Sequence, residues 1–130
     1  MADKTFSCTV LTPERTVLNT EVTSAVIPAH DGEVGILRGR APLLCRLGIG
    51  ILKLEGCPDP TRLYLDSGFA EVANNKITIL TENALTPQQI DKLEVQAALN
   101  EAQNRTATSQ VEQEKRQKDL ARCKKKLELV

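Results

Sequence analysis

Residues 24–44 read SAVIPAHDGEVGILRGRAPLL, a stretch in which short apolar runs alternate with glycine and proline. The five interruptions are Pro28, Gly32, Gly35, Gly39 and Pro42. Glycine accepts positive φ and proline fixes φ, so this density is typical of tight turns. The stretch predicts a rigid loop system at one end of a β structure. Four charged side chains would point outward from it: Asp31, Glu33, Arg38 and Arg40. That arrangement favours a docking surface over an active site.

The chain up to Leu85 has the period of β-strands. Apolar and polar residues alternate over residues 6–10, and apolar residues alternate with glycine over residues 47–51. A period of two is that of a half-buried strand, and glycine within a strand indicates the close approach of another backbone. Turn signals such as Asn74-Asn75 separate the short runs. The pattern predicts an N-terminal antiparallel β-sandwich over residues 1–85.

After Leu85 the period becomes helical. Residues 86–89 read TPQQ, which is a threonine cap, a proline at the first helical position and a glutamine three residues after the cap. The spacing then predicts that Ile90, Leu93 and Ala97 share one buried face of a helix.

A second capping signal, SQVE at residues 109–112, predicts a second helix. Its apolar stripe would consist of Leu120, Cys123, Leu127 and Val130. Residues 86–130 are therefore expected to form a C-terminal antiparallel two-helix hairpin. Because both stripes are thin, the hairpin buries little area of its own, and it could exchange one packing for another.

Charge and composition exclude several classes of function. The 17 basic and 17 acidic residues of the chain balance, which argues against general nucleic-acid binding. Three aromatic residues in 130 are too few for stacking platforms. The four cysteines form no CxxC pair, so they are expected to be free thiols rather than metal ligands. No leader peptide or membrane span is expected from the pattern.

Seven basic residues lie between Lys115 and Lys126. One explanation of such a cluster is a helix face exposed to solvent. The functional alternative is a surface that contacts an acidic partner.

No catalytic constellation is evident. His30 is the single histidine, and its H-D-G context is that of a turn. Asp31 and Glu33 could pair as acid and base, but exposed carboxyl groups beside glycines seldom have the shifted pKa values that catalysis needs. The chain is expected to be a non-catalytic protein.

A sandwich of about 85 residues followed by a helical hairpin, with this loop signature, resembles the epsilon subunit of F-type ATP synthases. Three segments carry the resemblance: VIPAHDGEVGILRGRAPLL at residues 26–44, YLDSGFAEV at residues 64–72 and ITILTENA at residues 77–84. The resemblance covers nearly the whole chain. It implies a subunit of bacterial or chloroplast type.

The resemblance implies a rotor subunit of the central stalk that couples proton translocation to ATP synthesis. Its sandwich would bind the gamma subunit and stand on the ring of c subunits. Contacts to the c ring would fall on His30, Asp31, Gly32 and Glu33. It would be a peripheral membrane protein, on the cytoplasmic face of a bacterial inner membrane or the stromal face of a thylakoid.

The family's hairpin can lie on the sandwich or extend beside gamma toward the alpha/beta hexamer, where it inhibits ATP hydrolysis. The resemblance implies that the basic face of the second helix would then meet an acidic segment of the beta subunit. The residues of that face are Arg116, Arg122, Lys124, Lys125 and Lys126.

Two departures from the family pattern bear on function. Arg38-Gly39-Arg40 stands where the family often has Pro-Gly-His, which adds charge to the loop. Some relatives bind ATP through an I/L-D-x-x-R-A motif, and here Glu94 occupies the arginine position. A carboxylate there would repel phosphate, so no cofactor is expected and ATP binding should be weak or absent.

Two other interpretations remain open on the sequence alone. One is a free-standing adaptor whose sandwich and hairpin bind some other pair of proteins. The other is an enzyme whose site is assembled with a partner, which would require perturbed carboxyl groups in a cleft.

Overall fold

Seven strands form one continuous hydrogen-bonded sheet in this computed structural model, which describes residues 5–58 and 60–129. The strands are β1 (Phe6–Leu11), β2 (Thr16–Val22), β3 (Ser24–Ala29), β4 (Gly32–Leu37), β5 (Leu43–Glu55), β6 (Arg62–Ala73) and β7 (Lys76–Leu85). Their order across the sheet is β2-β1-β7-β6-β5-β3-β4.

The sheet folds over on itself to make a sandwich. Strands β5, β6 and β7 are 13, 12 and 10 residues long, so they are long enough to contribute to both layers. Val10 of β1 and Ile27 of β3 lie toward opposite edges of the sheet, yet both are fully buried in the same apolar core. The predicted sandwich is confirmed.

One strand pair differs from the predicted antiparallel arrangement. β1 lies parallel to β7, with Val10 opposite Ile79, whereas every other pair is antiparallel. The alternation of buried and exposed residues is the same in parallel and antiparallel pairs, so the pattern of a strand does not specify the direction of a partner 69 residues away.

The glycines of β5 allow the close approach that their alternation predicts. A Cβ on Gly48 would lie 3.2 Å from the Cα of His30, and one on Gly50 would lie 2.5 Å from the Cβ of Pro28. The backbone before the β3–β4 turn therefore packs directly on β5.

The prediction of a loop over residues 24–44 is wrong for most of that stretch. Residues 24–37 form the β3–β4 hairpin, in which Pro28 lies opposite Glu33, and only residues 30–31 and 38–42 lie outside strands. Gly32 and Glu33 are thus the first residues of β4. Pro28 lies within β3 although proline has no N–H to donate to a neighbouring strand. The alternation of buried and exposed residues in this segment therefore outweighs the preference of its proline and glycine residues for turns.

Two helices follow the sheet: α1 (Lys92–Asn104) and α2 (Gln110–Leu129). They pack on each other as the predicted hairpin. The capping box at residues 86–89 does form, but it caps a single 3-10 turn at Pro87–Gln89. α1 begins only at Lys92, and the carboxylate of Asp91 caps it by accepting hydrogen bonds from the backbone N–H groups of Leu93 and Glu94.

The predicted buried face of α1 is wrong. Leu93 is 82% exposed and Ala97 is exposed, whereas the buried residues are Val95, Leu99 and Ala102. The helix starts at Lys92 rather than at Pro87, so Ile90 lies before it and packs on the hairpin core from outside the helix.

The predicted apolar stripe of the second helix is confirmed for those of its residues that the structure describes. Cys123 is buried against Val95 and Leu99, and Leu120 and Leu127 pack beside it. Val130 lies outside the described residues. Ser109 caps α2 through its Oγ, which accepts from the N–H of Glu112 at 3.1 Å. No helix in the described residues is both long enough and apolar enough to cross a bilayer.

Candidate functional site

The tip of the β3–β4 hairpin brings the four predicted contact residues to one exposed end of the sandwich. Residues 30–33 are all exposed, and the N–H of His30 donates to the carbonyl of Arg46 at 2.9 Å. Glu33 Oε2 lies 3.2 Å from Lys53 Nζ on β5. Half-exposed pairs of this kind stabilise little, so the Glu33 carboxylate is available to a partner.

The loop that carries Arg38 and Arg40 is held by a neighbouring turn. The N–H of Gly39, which has φ of +85°, donates to Oδ1 of Asn75 at 2.7 Å. Asn74 and Asn75 both adopt positive φ in the turn between β6 and β7, as their pattern predicts. Both arginines are exposed beside this turn.

Strand β6 is irregular at Ser67 and Gly68, and this irregularity divides the outer face of the sheet into two regions. Asp66 lies opposite Asn83 and Gly68 lies opposite Thr81, so the register with β7 is unbroken, but Ser67 and Gly68 adopt φ of +62° and +123°. The buried hydroxyl of Thr81 lies 2.7 Å from the carbonyl of Ser67, to which it donates. The buried side of β6 changes from odd-numbered to even-numbered residues across this point, so Tyr64 and Asp66 face outward before it and Phe69 faces outward after it.

An exposed apolar region, which we call the outer apolar face, lies beyond the irregularity at Ser67 and Gly68. Phe69 and Leu80 pair across β6 and β7 and are 55% and 52% exposed. Leu11 lies opposite Leu80, and Leu44 on β5 is 69% exposed. A cleft of about 360 Å³ between Leu11, Phe69 and Leu80 deepens this face.

This surface was not predicted from the sequence, although the sequence contains a signal for it. Ile77 and Ile79 alternate inward along β7, so Leu80 is an apolar residue at an outward position. An apolar residue on the solvent side of a strand indicates a partner surface when others adjoin it.

The region before this irregularity is covered by α2. Arg122 Nε lies 2.9 Å from Asp66 Oδ2, so the two side chains form an ion pair. Lys126 Nζ lies 5.2 Å from the centroid of the Tyr64 ring, which is within the range of a cation–π contact. Burial, followed by the nearby Asp66 carboxylate, raises the pKa of Tyr64.

Arginine side chains also join the two helices. The guanidinium of Arg116 donates to the carbonyls of Ala102 and Gln103 at 3.0 and 2.9 Å, so it caps the C-terminus of α1. Arg105 is paired with Glu101 on its own helix and lies 2.8 Å from Asp119 on α2. Hydrogen bonding from the Arg105 guanidinium lowers the pKa of Asp119.

The five basic residues predicted as one partner surface thus have different neighbours in this structure. Arg122 and Lys126 face the sandwich, and Arg116 faces α1. Lys125 pairs with Glu128 of its own helix at 3.3 Å, and Lys124 is exposed.

The structure offers little for catalysis among the residues it describes. No group of three histidine, cysteine or acidic side chains in residues 5–58 and 60–129 is placed to hold a metal ion. Cys8, Cys45 and Cys123 are free thiols, and burial is the main reason that the pKa of the Cys8 thiol rises to about 12.

Comparisons with known proteins agree on one family. A family model for the β-sandwich domain of the ATP synthase delta/epsilon chain matches residues 5–87. The ATP synthase epsilon chain of Rhodopirellula baltica is 42% identical over 95 residues, which are 73% of this chain and 74% of that protein. The epsilon chain of Synechococcus sp. strain JA-2-3B'a(2-13) is 37% identical over 116 residues, which are 89% of this chain and 85% of that protein.

Two solved structures are similar in fold. A chain in the Euglena gracilis mitochondrial ATP synthase OSCP/F1/c-ring structure has a TM-score of 0.82 at 23% identity, covering 96% of this chain and 80% of that chain. A chain in the Tetrahymena thermophila mitochondrial ATP synthase central stalk/c-ring structure has a TM-score of 0.68 at 16% identity, covering 94% and 93%.

Proposed function

Because this chain belongs to the ATP synthase delta/epsilon family, we propose that it is the epsilon subunit of an F-type ATP synthase, acting as a non-catalytic part of the central stalk. The observation that carries the proposal is the family match over residues 5–87. That segment contains both the exposed hairpin tip and the outer apolar face.

The outer apolar face is the proposed docking surface for the gamma subunit. It combines Leu11, Leu44, Phe69 and Leu80 on four neighbouring strands of a rigid sheet. Burial of large apolar side chains contributes about 1.5–3 kcal/mol each, so such a face suits a partner that stays bound through many turns of a rotor.

The hairpin tip is the proposed contact to the c ring. Its four residues are exposed at one end of the sandwich, and Glu33 is the acidic group that a polar loop of a c subunit would meet. The backbone of the tip is rigid, because Gly48 and Gly50 let β3 lie directly on β5. A rigid contact surface of this kind would transmit torque without deforming. The protein would then be peripheral to the membrane, on the side that carries the catalytic hexamer.

The C-terminal helical hairpin is the proposed regulatory element. Its own core is small. The basic residues Arg116, Arg122 and Lys124–Lys126 are the groups proposed to meet an acidic segment of the beta subunit, and all of them except Lys124 contact other residues of the chain in this structure. Extension of the hairpin toward the alpha/beta hexamer would inhibit ATP hydrolysis.

The test is reconstitution of the full chain, and of a chain ending at Leu85, with gamma, the c ring and the catalytic hexamer. Both forms are expected to co-purify with gamma and the c ring, because the proposed docking surfaces lie before residue 86. The shorter chain is expected to raise ATP hydrolysis several-fold while coupling is retained. If the full chain fails to bind gamma, the rotor proposal is wrong and the adaptor alternative gains support. Unchanged hydrolysis would show that the hairpin is not inhibitory.

ATP binding to the isolated chain is expected to be weak or absent. Asp91 caps α1 with its carboxylate, and the exposed Glu94 places a second negative charge in the first turn. Isothermal titration calorimetry should give no saturable heat with ATP. A Glu94→Arg chain should bind more strongly, because it exchanges a carboxylate for a guanidinium. Tight binding by the unaltered chain would contradict the prediction.

A further inference from the structure

One side of the outer apolar face carries an arginine. The strand register places Arg46 of β5 opposite Phe69 of β6, and Phe69 opposite Leu80 of β7. Leu80 in turn lies opposite Leu11 of β1. Paired residues on neighbouring strands share one face of a sheet, so these four side chains form a row whose cationic end is the exposed Arg46.

The loop after β4 presents two further arginines on a fixed turn. The N–H of Arg40 donates to the carbonyl of Leu37 at 3.3 Å, which closes a four-residue turn over residues 37–40. Gly39 is the third residue of this turn, and its φ of +85° is typical of type II. The side chain of Asn75 accepts from the N–H of Gly39, so the turn is tied to the sheet. Arg38 and Arg40, on either side of Gly39, are thus exposed on a rigid backbone.

This turn lies at the β5 side of the outer apolar face. Asn75, which holds it, connects β6 to β7, and β5 begins three residues after Arg40. Burial, followed by the Asp31 carboxylate, raises the pKa of the Cys45 thiol, and the nearby Arg40 guanidinium partly offsets this effect. Cys45 immediately precedes the arginine that begins the row. We call the three basic residues on this side the arginine edge: Arg38, Arg40 and Arg46.

The arginine edge has no acidic partner within the part of the chain that the structure describes. The cations of the ion pairs in residues 5–58 and 60–129 are Lys53, Arg105, Arg122 and Lys125. An apolar centre bordered by polar side chains is the usual anatomy of a protein–protein interface, and arginine is enriched in such interfaces. The guanidinium groups of the arginine edge are therefore available to a partner that covers the outer apolar face.

The excess of positive charge is local. On the far side of the outer apolar face, Glu14, Arg15 and Glu82 line one cleft, where the charges are mixed. Between the two sides, Glu71 of β6 and Lys76 of β7 are both exposed and offset each other. A partner that covers the whole face would therefore meet uncompensated positive charge along the arginine edge.

We propose that the surface of gamma that docks on the outer apolar face carries carboxylates opposite the arginine edge, and that these arginines select the partner and fix its orientation. The inference rests on the proposed docking of gamma and names the chemistry of the surface that gamma presents. A guanidinium can bind a carboxylate through two parallel hydrogen bonds, so the pairing is directional as well as attractive. It discriminates against a gamma subunit that lacks the carboxylates, because the arginines would then be covered without partners.

The first experiment measures the association rate constant of the full chain with gamma by surface-plasmon resonance over a series of salt concentrations. The variant combines Arg38→Gln, Arg40→Gln and Arg46→Gln. It is expected to associate about tenfold more slowly at low salt, because complementary charges at the rim of an interface accelerate encounter. At about 1 M salt, where the Debye length is about 3 Å, the difference should disappear.

A second triple variant is the matched control. Arg62→Gln, Lys92→Gln and Lys118→Gln remove three exposed positive charges that lie outside the outer apolar face, so the net charge changes by the same amount. This variant should keep the rate constant and the salt dependence of the unaltered chain. Equal slowing in both triple variants would show that only net charge matters, and it would overturn the proposal.

The second experiment locates the carboxylates. Arg38→Lys, Arg40→Lys and Arg46→Lys keep the positive charge, and each supplies an amine that a carbodiimide can join to a carboxylate in contact with it. Peptide mass spectrometry of the complex with gamma should find cross-links from positions 38, 40 or 46 to acidic residues of gamma. Arg62→Lys should give none. The absence of a cross-link from all three positions would contradict direct pairing.

These outcomes separate the inference from the docking proposal on which it rests. If Phe69→Glu with Leu80→Glu abolishes binding while the arginine variant keeps the rate and salt dependence of the unaltered chain, the docking surface stands and its acidic partner surface does not. If the unaltered full chain does not bind gamma, both proposals fail. Unchanged association with gamma together with lost retention on the c ring would assign the arginines to the c ring and would also overturn the inference.

Discussion

Gly68→Ala is expected to lower the free energy of unfolding by about 3 kcal/mol or more. Gly68 has φ of +123°, where side chains are rarely accommodated, and an added Cβ would overlap the carbonyl oxygen of Leu80. The same Cβ would lie 2.8 Å from the Cα of Thr81. Both obstacles are backbone atoms of β7, so they can move away only if β6 and β7 separate. Urea unfolding followed by far-UV circular dichroism measures the change.

Gly35→Ala is the matched control for this prediction. A Cβ on Gly35 meets no atom within 4 Å, and its φ is outside the positive range. The change is expected to be neutral or slightly stabilising, because alanine loses less backbone entropy than glycine on folding. An equal loss of stability in both variants would show that the positive φ of Gly68 and its close contact with β7 are not the cause.

Phe69→Glu together with Leu80→Glu is expected to weaken binding to gamma at least about 100-fold, which corresponds to about 2.7 kcal/mol. The two side chains pair at the centre of the outer apolar face, and each is more than half exposed. The substitution removes apolar area and would bury carboxylates at the interface. Because both positions face solvent in the free chain, the fold should be retained. Surface-plasmon resonance against gamma measures the loss.

Val111→Glu serves as the comparison for the outer apolar face. Val111 is 75% exposed on α2, so its substitution introduces one of the same carboxylates without changing the outer apolar face. Binding to gamma should be unchanged. Retention of full affinity by the Phe69 and Leu80 double variant would remove the outer apolar face from the proposal.

The sequence alone identified the family and the two-part fold, and the family match and the structure confirm both. The two-part fold could be predicted because the periodicity of apolar residues is a local property of the sequence. Phe6, Cys8 and Val10 are buried as their alternation predicts, and Cys123 lies in the hairpin core. The ordered spacing of motifs over residues 26–84 pointed to the same family as the match over residues 5–87.

Local signals were less reliable where a tertiary partner decides the outcome. The turn-rich stretch at residues 24–44 forms mostly strands, because β3 finds pairing partners in β4 and β5. The capping box at residues 86–89 forms only a short turn, because Asp91 provides the cap that starts α1. The first outcome depends on strands outside the stretch, whereas the second is a competition between two neighbouring caps, Thr86 and Asp91.

The sequence by itself determined which residues alternate, where the helical period begins and which family the chain resembles, since these depend on neighbours in the chain. Only the tertiary structure decided that β1 runs parallel to β7 and that Arg122 meets Asp66, 56 positions earlier. It also decided how the positive φ angles at Ser67 and Gly68 divide the outer face into a covered and an exposed region. Such contacts depend on the register of distant strands, and a register is set by the packing of the whole core rather than by any local pattern.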